Sequence, residues 1–206
     1  LNMGTELLAP AGEVESAYAA FHYGADAVYL GLRKFSARAD AANFSPEELG
    51  EIVAYAHSQT PRRRVFAAIN TVVLNSELDG LVQALAWAAD GGVDAVIVQD
   101  LGVARVIRRH FPELALHAST QMAIHSVQGA RVLARLGFRR VTLARELTLD
   151  EIREIAAIPG METEVFIHGA LCYSYSGLCL YSSLLRGRSG NRGRCTYPCR
   201  DWFQGN

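Results

Sequence analysis

The chain has 206 residues, half of them hydrophobic and a fifth charged, with a formal net charge of −1 at pH 7. This length is sufficient for one sizeable hydrophobic core, and no apolar run approaches the roughly eighteen residues of a membrane-spanning helix. Residues 1–8 lack the basic region and apolar run of a signal peptide. We therefore expect a cytoplasmic protein without membrane contact, whose cysteines stay reduced.

Short apolar runs alternate along the chain with longer segments of helical periodicity. Strands are predicted at residues 6–9, 27–30, 65–70, 95–99, 115–118, 140–143 and 163–167. Helices are predicted at residues 13–23, 46–58, 77–90, 102–110, 125–136 and 148–157. Ser45 before Pro46 indicates where the second helix begins, because serine caps a helix and proline suits its first turn. Strands that alternate with helices indicate parallel βαβ units.

Seven such strands predict an α/β fold, a TIM-like (β/α)8 barrel that is incomplete because its eighth strand is missing. An open doubly wound sheet is the alternative, although the chain has neither a GxGxxG motif nor a P-loop. No apolar strand is recognisable after residue 167, so we expect a fragment of a longer barrel. We divide the chain into a barrel core, residues 1–167, and a cysteine- and arginine-rich segment of the same domain, residues 168–206.

All the cysteines of the protein lie in that last segment. They are Cys172, Cys179, Cys195 and Cys199. Four thiols close together in sequence favour a metal or iron–sulfur site over unrelated core cysteines. A zinc site usually pairs ligands two to four residues apart, which fits only the last two cysteines. An iron–sulfur cluster also takes four thiolates and tolerates varied spacing, whereas disulfides do not fit a reducing compartment.

Positive charge is concentrated in the arginine-rich segment, residues 186–200. Its five arginines are Arg186, Arg188, Arg192, Arg194 and Arg200. Without them the chain has 15 basic and 21 acidic residues, a net charge near −6. A local excess of positive charge predicts an anionic partner at this segment, and an RNA backbone is the partner that we expect. The alternative is that these arginines balance the charge of an anionic cluster.

Polar residues follow the predicted strands at the ends where a βα barrel carries its chemistry. On the fifth strand, His117, Ser119 and Gln121 alternate and should face one side. With His168, which follows the last predicted strand, they are our candidate catalytic residues. The candidate substrate-binding residues are Arg38, Asn70, Gln99, Asp100, Arg145, Glu146, Arg188 and Arg192. Alternatively, these are ordinary polar residues at the starts of loops.

Two of these arginines, Arg38 and Arg145, are candidates to bind a small dicarboxylate, because a guanidinium group pairs with a carboxylate through two hydrogen bonds. Surface salt bridging is the alternative for both side chains. Either role would place them at the rim of the barrel, since they follow the second and the sixth predicted strands.

The stretch HGALCYSYSGLC, followed by GRSGNRGRC, strongly resembles the collagenase-like peptidases, the thirty-second family of peptidases of unknown catalytic type. ELLAPAG, YGADAVYLG, FSARADAANFS, VDAVIVQDLGV and LHASTQMAIH extend the resemblance over nearly the whole chain. The resemblance implies a barrel of this kind. The better-understood members are oxygen-independent hydroxylases with a 4Fe–4S cluster, which act on tRNA, ribosomal RNA or a ubiquinone precursor. The spacing of the last two cysteines is similar to that in the RNA-modifying and peptidase-named branch of the family.

By this resemblance the four cysteines are ligands of a 4Fe–4S cluster, RNA is the partner, and prephenate is the hydroxyl donor; air-purified protein can carry zinc instead. A collagenase-like peptidase is the alternative function. The chain has no HExxH helix and no GxSxG elbow, so Cys172 and His168 would have to form the catalytic pair. A zinc-binding module without catalysis is a third hypothesis.

Overall fold

The computed structural model describes residues 4–39 and 41–202; parts of both predicted segments, residues 1–3, 40 and 203–206, lie outside the described residues. The strands are β1 (Leu8–Ala11), β2 (Ala27–Gly31), β3 (Arg64–Ile69), β4 (Ala95–Val98), β5 (Leu116–Ala118), β6 (Phe138–Thr142) and β7 (Glu162–Glu164). The helices are α1 (Val14–His22), α2 (Pro46–Ser58), α3 (Leu78–Asp90), α4 (Leu101–His110), α5 (Val127–Arg135), α6 (Leu149–Ala156) and α7 (Tyr181–Arg186). Within these ranges, no helix has both the length and the apolar character needed to cross a membrane.

The seven strands form one parallel sheet in the order β1 to β7. Each βα unit adds the next neighbour, so the sheet curls as an incomplete barrel, and the predicted α/β architecture is confirmed. The doubly wound alternative is wrong, because its strand order reverses at a switch point. In the described part of the chain, no strand follows β7.

The predicted strands and helices are all present, and only their ends differ. β1 begins two residues later than predicted, and β7 ends at Glu164 instead of residue 167. β7 is short because its pairing with β6 ends where Thr142 lies opposite Glu164, after which only the Leu143 N–H reaches the Glu164 carbonyl, at 2.9 Å. Residues 165–167 are apolar, as the prediction required, but they do not pair with β6 and are therefore not part of the strand.

The main core lies between the sheet and its helices. All four residues of β4 are buried, as expected for a central strand of a parallel sheet covered by helices. α2 buries one stripe, formed by Leu49, Ile52, Val53 and Ala56. Burial of a large aliphatic side chain contributes about 1.5–3 kcal/mol, so this stripe is enough to hold the helix on the sheet.

α2 begins at the predicted cap. The Ser45 hydroxyl accepts a hydrogen bond from the Glu48 N–H at 3.2 Å, and the Glu48 carboxylate accepts one from the Ser45 N–H at 2.7 Å. These two bonds satisfy donors that a helix otherwise leaves free at its first turn.

An ionic network inside the barrel joins the two edges of the open sheet. Arg140 of β6 donates from Nη1 to Glu6 at 2.7 Å and from Nε to Glu162 at 2.8 Å. Glu6 precedes β1 and Glu162 begins β7, so one guanidinium group bridges the first and last strands. The Arg140 and Glu6 side chains are only 6% and 15% exposed, and removal of one partner from such a buried pair typically costs about 3–5 kcal/mol.

Candidate functional site

A cavity of about 1,090 Å³ opens at the C-terminal ends of the strands. The predicted site residues that line it are Arg38, Asn70, Ser119, Gln121, Arg145, His168, Cys172, Cys179, Cys195 and Cys199. The strand ends therefore bring together residues from loops that are far apart in sequence, as is usual for the active face of a βα barrel.

His117 is not among the residues that line this cavity. It lies deeper in the barrel interior, 5% exposed, with its ring centroid 4.7 Å from that of Phe66 in an edge-to-face contact. Its Nδ1 has no hydrogen-bond partner in the described ranges. Burial, together with the positive charges of Arg140 and Arg64, lowers the pKa of His117 to about 3. The imidazole is therefore neutral at physiological pH.

Ser119 and Gln121 do lie together at the cavity. Ser119 caps a short 3-10 turn at Thr120–Met122, and its hydroxyl accepts from the Gln121 N–H at 3.3 Å. The Ser119 hydroxyl also donates to the Gln121 side-chain oxygen at 3.4 Å. β5 ends at Ala118. Ser119 and Gln121 follow it and line the cavity, whereas His117 is still within the strand and lies deeper in the barrel.

Glu164 is a cavity residue that the sequence did not single out. Its Oε1 accepts from the Thr142 hydroxyl at 3.0 Å. Its Oε2 is buried, without a hydrogen-bond partner among the described residues, and lies 3.6 Å from Arg140 Nη1. Burial raises the pKa of Glu164, against the opposing effects of Thr142 and Arg140. The available signal was a carboxyl group inside the predicted strand 163–167, directly before three apolar residues.

All four cysteines are free thiols, and three of them follow one pattern. The backbone N–H of Tyr181 donates to Cys179 Sγ at 3.3 Å, and that of Tyr197 donates to Cys195 Sγ at 3.4 Å. In each case the donor lies two residues after the cysteine. The sulfur of Cys172 likewise lies 3.1 Å from the hydroxyl of Ser174.

At Cys172 the surrounding groups favour the thiolate, which is the form that ligates metals. Partial burial raises the pKa of Cys172, but hydrogen bonds from Ser174 and from the Arg145 guanidinium outweigh it, so the pKa lies below its ordinary value. The four thiols line one cavity without meeting at a point: in the described ranges, no three His, Cys, Asp or Glu side chains come close enough to hold a single metal ion.

The first cysteine segment, residues 172–179, is held by the loop after β6. Arg145 donates from Nη1 to the Cys172 carbonyl and from Nη2 to the Ser174 carbonyl, both at 3.1 Å. Glu146 accepts from the Ser176 N–H at 2.9 Å and from its hydroxyl at 2.5 Å. Both residues were predicted to bind substrate, and in the structure they position the first cysteine segment. Of the side-chain nitrogens of Arg145, Nε is buried and has no hydrogen-bond partner in the described ranges.

The arginine-rich segment is held by the loops after β2, β3 and β4. Arg192 binds Glu77 through two hydrogen bonds, at 2.5 and 3.0 Å, and donates to the Val72 carbonyl at 3.2 Å. The hydrogen bonds from Arg192 and from the Leu74 N–H together lower the pKa of Glu77 to about 2. The Asn191 carbonyl accepts from the Val72 N–H at 3.1 Å and from Gln99 Nε2 at 3.5 Å. The cysteine- and arginine-rich region therefore closes over the barrel mouth from both sides.

The family model of Peptidase family U32 matches residues 12–205. The chain belongs to peptidase family U32.

Two curated U32 relatives come from Escherichia coli (strain K12). A 23S rRNA 5-hydroxycytidine synthase is 43% identical over 195 residues, which is 95% of this chain and 29% of that protein. A tRNA hydroxylation protein P is 39% identical over 196 residues, 95% of this chain and 43% of that protein. The U32 chain thus spans less than half the length of these relatives. A solved U32 peptidase structure, 18% identical with a TM-score of 0.61 over 79% of this chain and 68% of that one, supports the fold.

The remaining predicted residues of this U32 chain have mainly structural contacts. Asp100 caps α4, accepting from the N–H groups of Gly102 at 2.6 Å and Val103 at 3.1 Å. Asn70 accepts from the Ala37 N–H at 2.9 Å, which fixes the loop after β2 against the cavity. Arg188 is exposed on the arginine-rich segment.

The cysteine–histidine pair that a peptidase mechanism requires is not formed. Cys172 and His168 both line the cavity of the U32 chain, but the hydrogen-bond partner of the Cys172 sulfur is Ser174. No hydrogen bond joins Cys172 to His168 in the described ranges. The side chain of Arg38 is directed toward Tyr197, donating to its hydroxyl and lying with Cζ 5.5 Å from its ring centroid.

Proposed function

We propose that this chain carries the cofactor- and substrate-binding barrel of an iron–sulfur-dependent, oxygen-independent RNA hydroxylase. The observation that carries the proposal is that four free cysteines line one cavity at the active face of the barrel. Two curated relatives bear names of RNA hydroxylation. The reaction class is the replacement of a C–H bond of a tRNA or ribosomal RNA base by C–OH.

The donor set suits a 4Fe–4S cluster. Cys172, Cys179, Cys195 and Cys199 would be its ligands, and a cluster of this kind supplies one-electron redox chemistry. Backbone N–H groups already point at the sulfurs of Cys179 and Cys195, and hydrogen bonds of this kind tune the potential of a cluster. Each thiolate of such a cluster binds a different iron, so the thiols need not meet at one point.

The other cavity residues have the chemistry to hold a small hydroxyl donor. Prephenate is a dicarboxylate, and Arg38 is the better candidate to bind it. Both terminal nitrogens of Arg145 already donate to carbonyl groups of the first cysteine segment, whereas Arg38 donates only from Nη1 to a tyrosine hydroxyl. A guanidinium with a free edge can form the two hydrogen bonds that a carboxylate accepts.

Anaerobic reconstitution with iron and sulfide tests the cofactor. We expect about four irons and four sulfides per chain. Cys195→Ser, which removes a thiol that lines the cavity, should lose them, whereas the control Ser183→Ala, at a residue that does not line the cavity, should retain them. The reconstituted protein, supplied with prephenate and unmodified tRNA or ribosomal RNA, should add one oxygen atom to a base, measured by mass spectrometry of digested nucleosides. Stoichiometric zinc without sulfide, or Cys172-dependent cleavage of gelatin by the metal-free protein, contradicts the proposal.

A further inference from the structure

A second groove, of about 400 Å³, lies beside the main cavity. The loop after β2 forms the wall between them: Ser36 and Ala39 line the groove, whereas Ala37 and Arg38 line the cavity. The other walls of the groove come from the loop after β3 and from the arginine-rich segment. The two spaces are therefore neighbours that share one short stretch of backbone.

The groove carries a local excess of positive charge. Its basic residues are Arg33, Lys34, Arg192 and Arg194, and its acidic residue is Glu77. Because Arg192 is committed to Glu77, three cations remain. Neither Lys34 nor Arg194 forms an ion pair with another residue in the described ranges, and Arg33 is 68% exposed, 3.9 Å from Glu48.

Residues with hydroxyl groups line the groove together with these cations. Ser36, Thr71 and Ser76 line the same groove, and Ser36 and Thr71 are each 5% exposed. The Ser36 hydroxyl accepts from the Arg38 N–H at 3.2 Å, which leaves its own proton free to donate. Hydroxyl donors beside arginine and lysine are the groups that proteins use to hold phosphate oxygens.

We propose that this groove binds the phosphodiester backbone of the RNA next to the nucleotide whose base enters the cavity. The inference rests on the proposed function and adds the place where the strand is held. A base that undergoes chemistry must leave its stack, and its flanking phosphates then lie within a few ångströms of the pocket entrance. Residues 36–39 are divided between the groove and the cavity, so a nucleotide in the cavity would have its backbone beside the groove.

The proposal assigns different roles to neighbouring arginines. Arg194, Arg33 and Lys34 contact phosphate, whereas Arg192 neutralises Glu77 and supports the groove wall. Within the arginine-rich segment, Arg194 thus contacts RNA directly, whereas Arg192, two residues earlier, forms a structural ion pair.

Fluorescence anisotropy with a labelled single-stranded RNA of mixed sequence, about 12 nucleotides long, tests this on the reconstituted chain. The groove variant is Arg33→Ala/Lys34→Ala/Arg194→Ala. Its matched control, Arg105→Ala/Arg109→Ala/Arg131→Ala, removes the same charge from exposed positions on α4 and α5. Binding is measured at KCl concentrations from roughly 0.05 to 0.2 M. For each phosphate neutralised on a single strand, the logarithm of the binding constant falls by about 0.7 for every tenfold increase in salt concentration.

We expect the groove variant to lose about two units of salt slope and roughly 100-fold in affinity at 0.1 M salt, with unchanged iron content, while the control keeps the slope of the wild type. Equal slopes in the groove variant and the wild type overturn the groove assignment alone. Inorganic phosphate that competes as well as RNA at equal phosphate concentration also overturns it, in favour of a small-anion site. A wild-type chain that binds no RNA at any salt concentration overturns the proposed function itself.

Discussion

The carboxylate of Glu146 holds Ser176 at two points, the backbone N–H at 2.9 Å and the hydroxyl at 2.5 Å. Ser176 is fully buried and has a φ of 40°, in the left-handed region that a serine rarely adopts. It lies midway between Cys172 and Cys179. Burial opposes the effect, but the bonds from Ser176 lower the pKa of Glu146, so the carboxylate stays ionised and fixes the shape of the segment that carries two cavity cysteines.

Replacement of Glu146 by alanine should therefore loosen cofactor retention. The variant leaves a buried N–H and hydroxyl of Ser176 without partners, a loss of about 1–3 kcal/mol. In anaerobically reconstituted protein treated with an iron chelator, we expect iron to leave roughly tenfold faster than in the wild type. Glu154→Ala, an exposed residue of α6, is the control and should lose iron at the wild-type rate. Identical rates in both variants would mean that Glu146 does not position the cysteines.

Gly193 should tolerate no side chain. It is buried with a φ of 76°, and a Cβ there would meet the Ser36 carbonyl oxygen, 2.2 Å away, so the arginine-rich segment could not dock on the loop after β2. Gly187 is the matched control: its φ of 64° is also positive, but a Cβ there meets nothing within 4 Å. Alanine at Gly187 should cost only the backbone strain of about 1–2 kcal/mol, and Gly193→Ala clearly more, seen as a lower Tm by circular dichroism. Equal Tm values would contradict the docking argument.

The architecture could be predicted because its signals are local. Alternation of apolar strands and amphipathic helices sets the order of the βα units, and the Ser45 cap needs only Glu48, three residues later. Ser119 and Gln121 lie together for a different reason from the predicted alternation, because a 3-10 turn follows Ser119. His117 lies deeper because β5 ends at Ala118, a boundary that periodicity does not define to one residue.

The partners of the polar residues could not be predicted, because they depend on contacts between distant parts of the chain. Arg192 and Glu77 are 115 residues apart, and nothing near either one indicates the other. Arg145 and Glu146 were expected at the substrate, yet their partners are backbone groups and a serine of the first cysteine segment. Polar residue types at strand ends indicate a site, whereas their roles within it depend on how the closing segment packs over the mouth.

His117 should make stability depend on pH. Its folded-state pKa of about 3 lies below the ordinary value of 6.5, because burial and the charges of Arg140 and Arg64 disfavour the imidazolium ion. The unfolded chain therefore binds the proton more readily, and stability is lost as the pH falls below about 6.5, by up to about 1.4 kcal/mol per pH unit. His117→Met removes this penalty, so its free energy of unfolding relative to the wild type should rise as the pH is lowered from 7 to 4.

Urea denaturation at several pH values measures this difference, with His110→Met as the control. His110 is exposed at the C-terminal end of α4, so its replacement removes an imidazole that is not buried and should bring no gain in acid. A relative stability of His117→Met that does not change with pH would show that the buried imidazole does not titrate as described.

Glu164 should be required for catalysis rather than for folding. Its carboxyl group lines the cavity, one oxygen has no hydrogen-bond partner in the described ranges, and burial raises its pKa, so it can exchange a proton with a bound substrate. Glu164→Gln keeps an oxygen to accept from Thr142 but cannot take up the proton. Loss of a general acid–base group typically lowers kcat by about 10²–10⁴-fold, and we expect such a loss in RNA hydroxylation measured by nucleoside mass spectrometry, with KM nearly unchanged.

The matched control for Glu164 is Glu162→Gln. Glu162 binds Arg140 more closely, with Nε at 2.8 Å, but it does not line the cavity, so its replacement should reduce Tm more than kcat. For the wild type, activity should fall as the pH drops through the raised pKa of Glu164, because the carboxylate that accepts the proton is then lost. This acid limb should be absent from the residual activity of Glu164→Gln. If both variants lose kcat and Tm in parallel, the interior carboxylates serve the ionic network that joins the edges of the sheet, and the proton-transfer role of Glu164 is wrong.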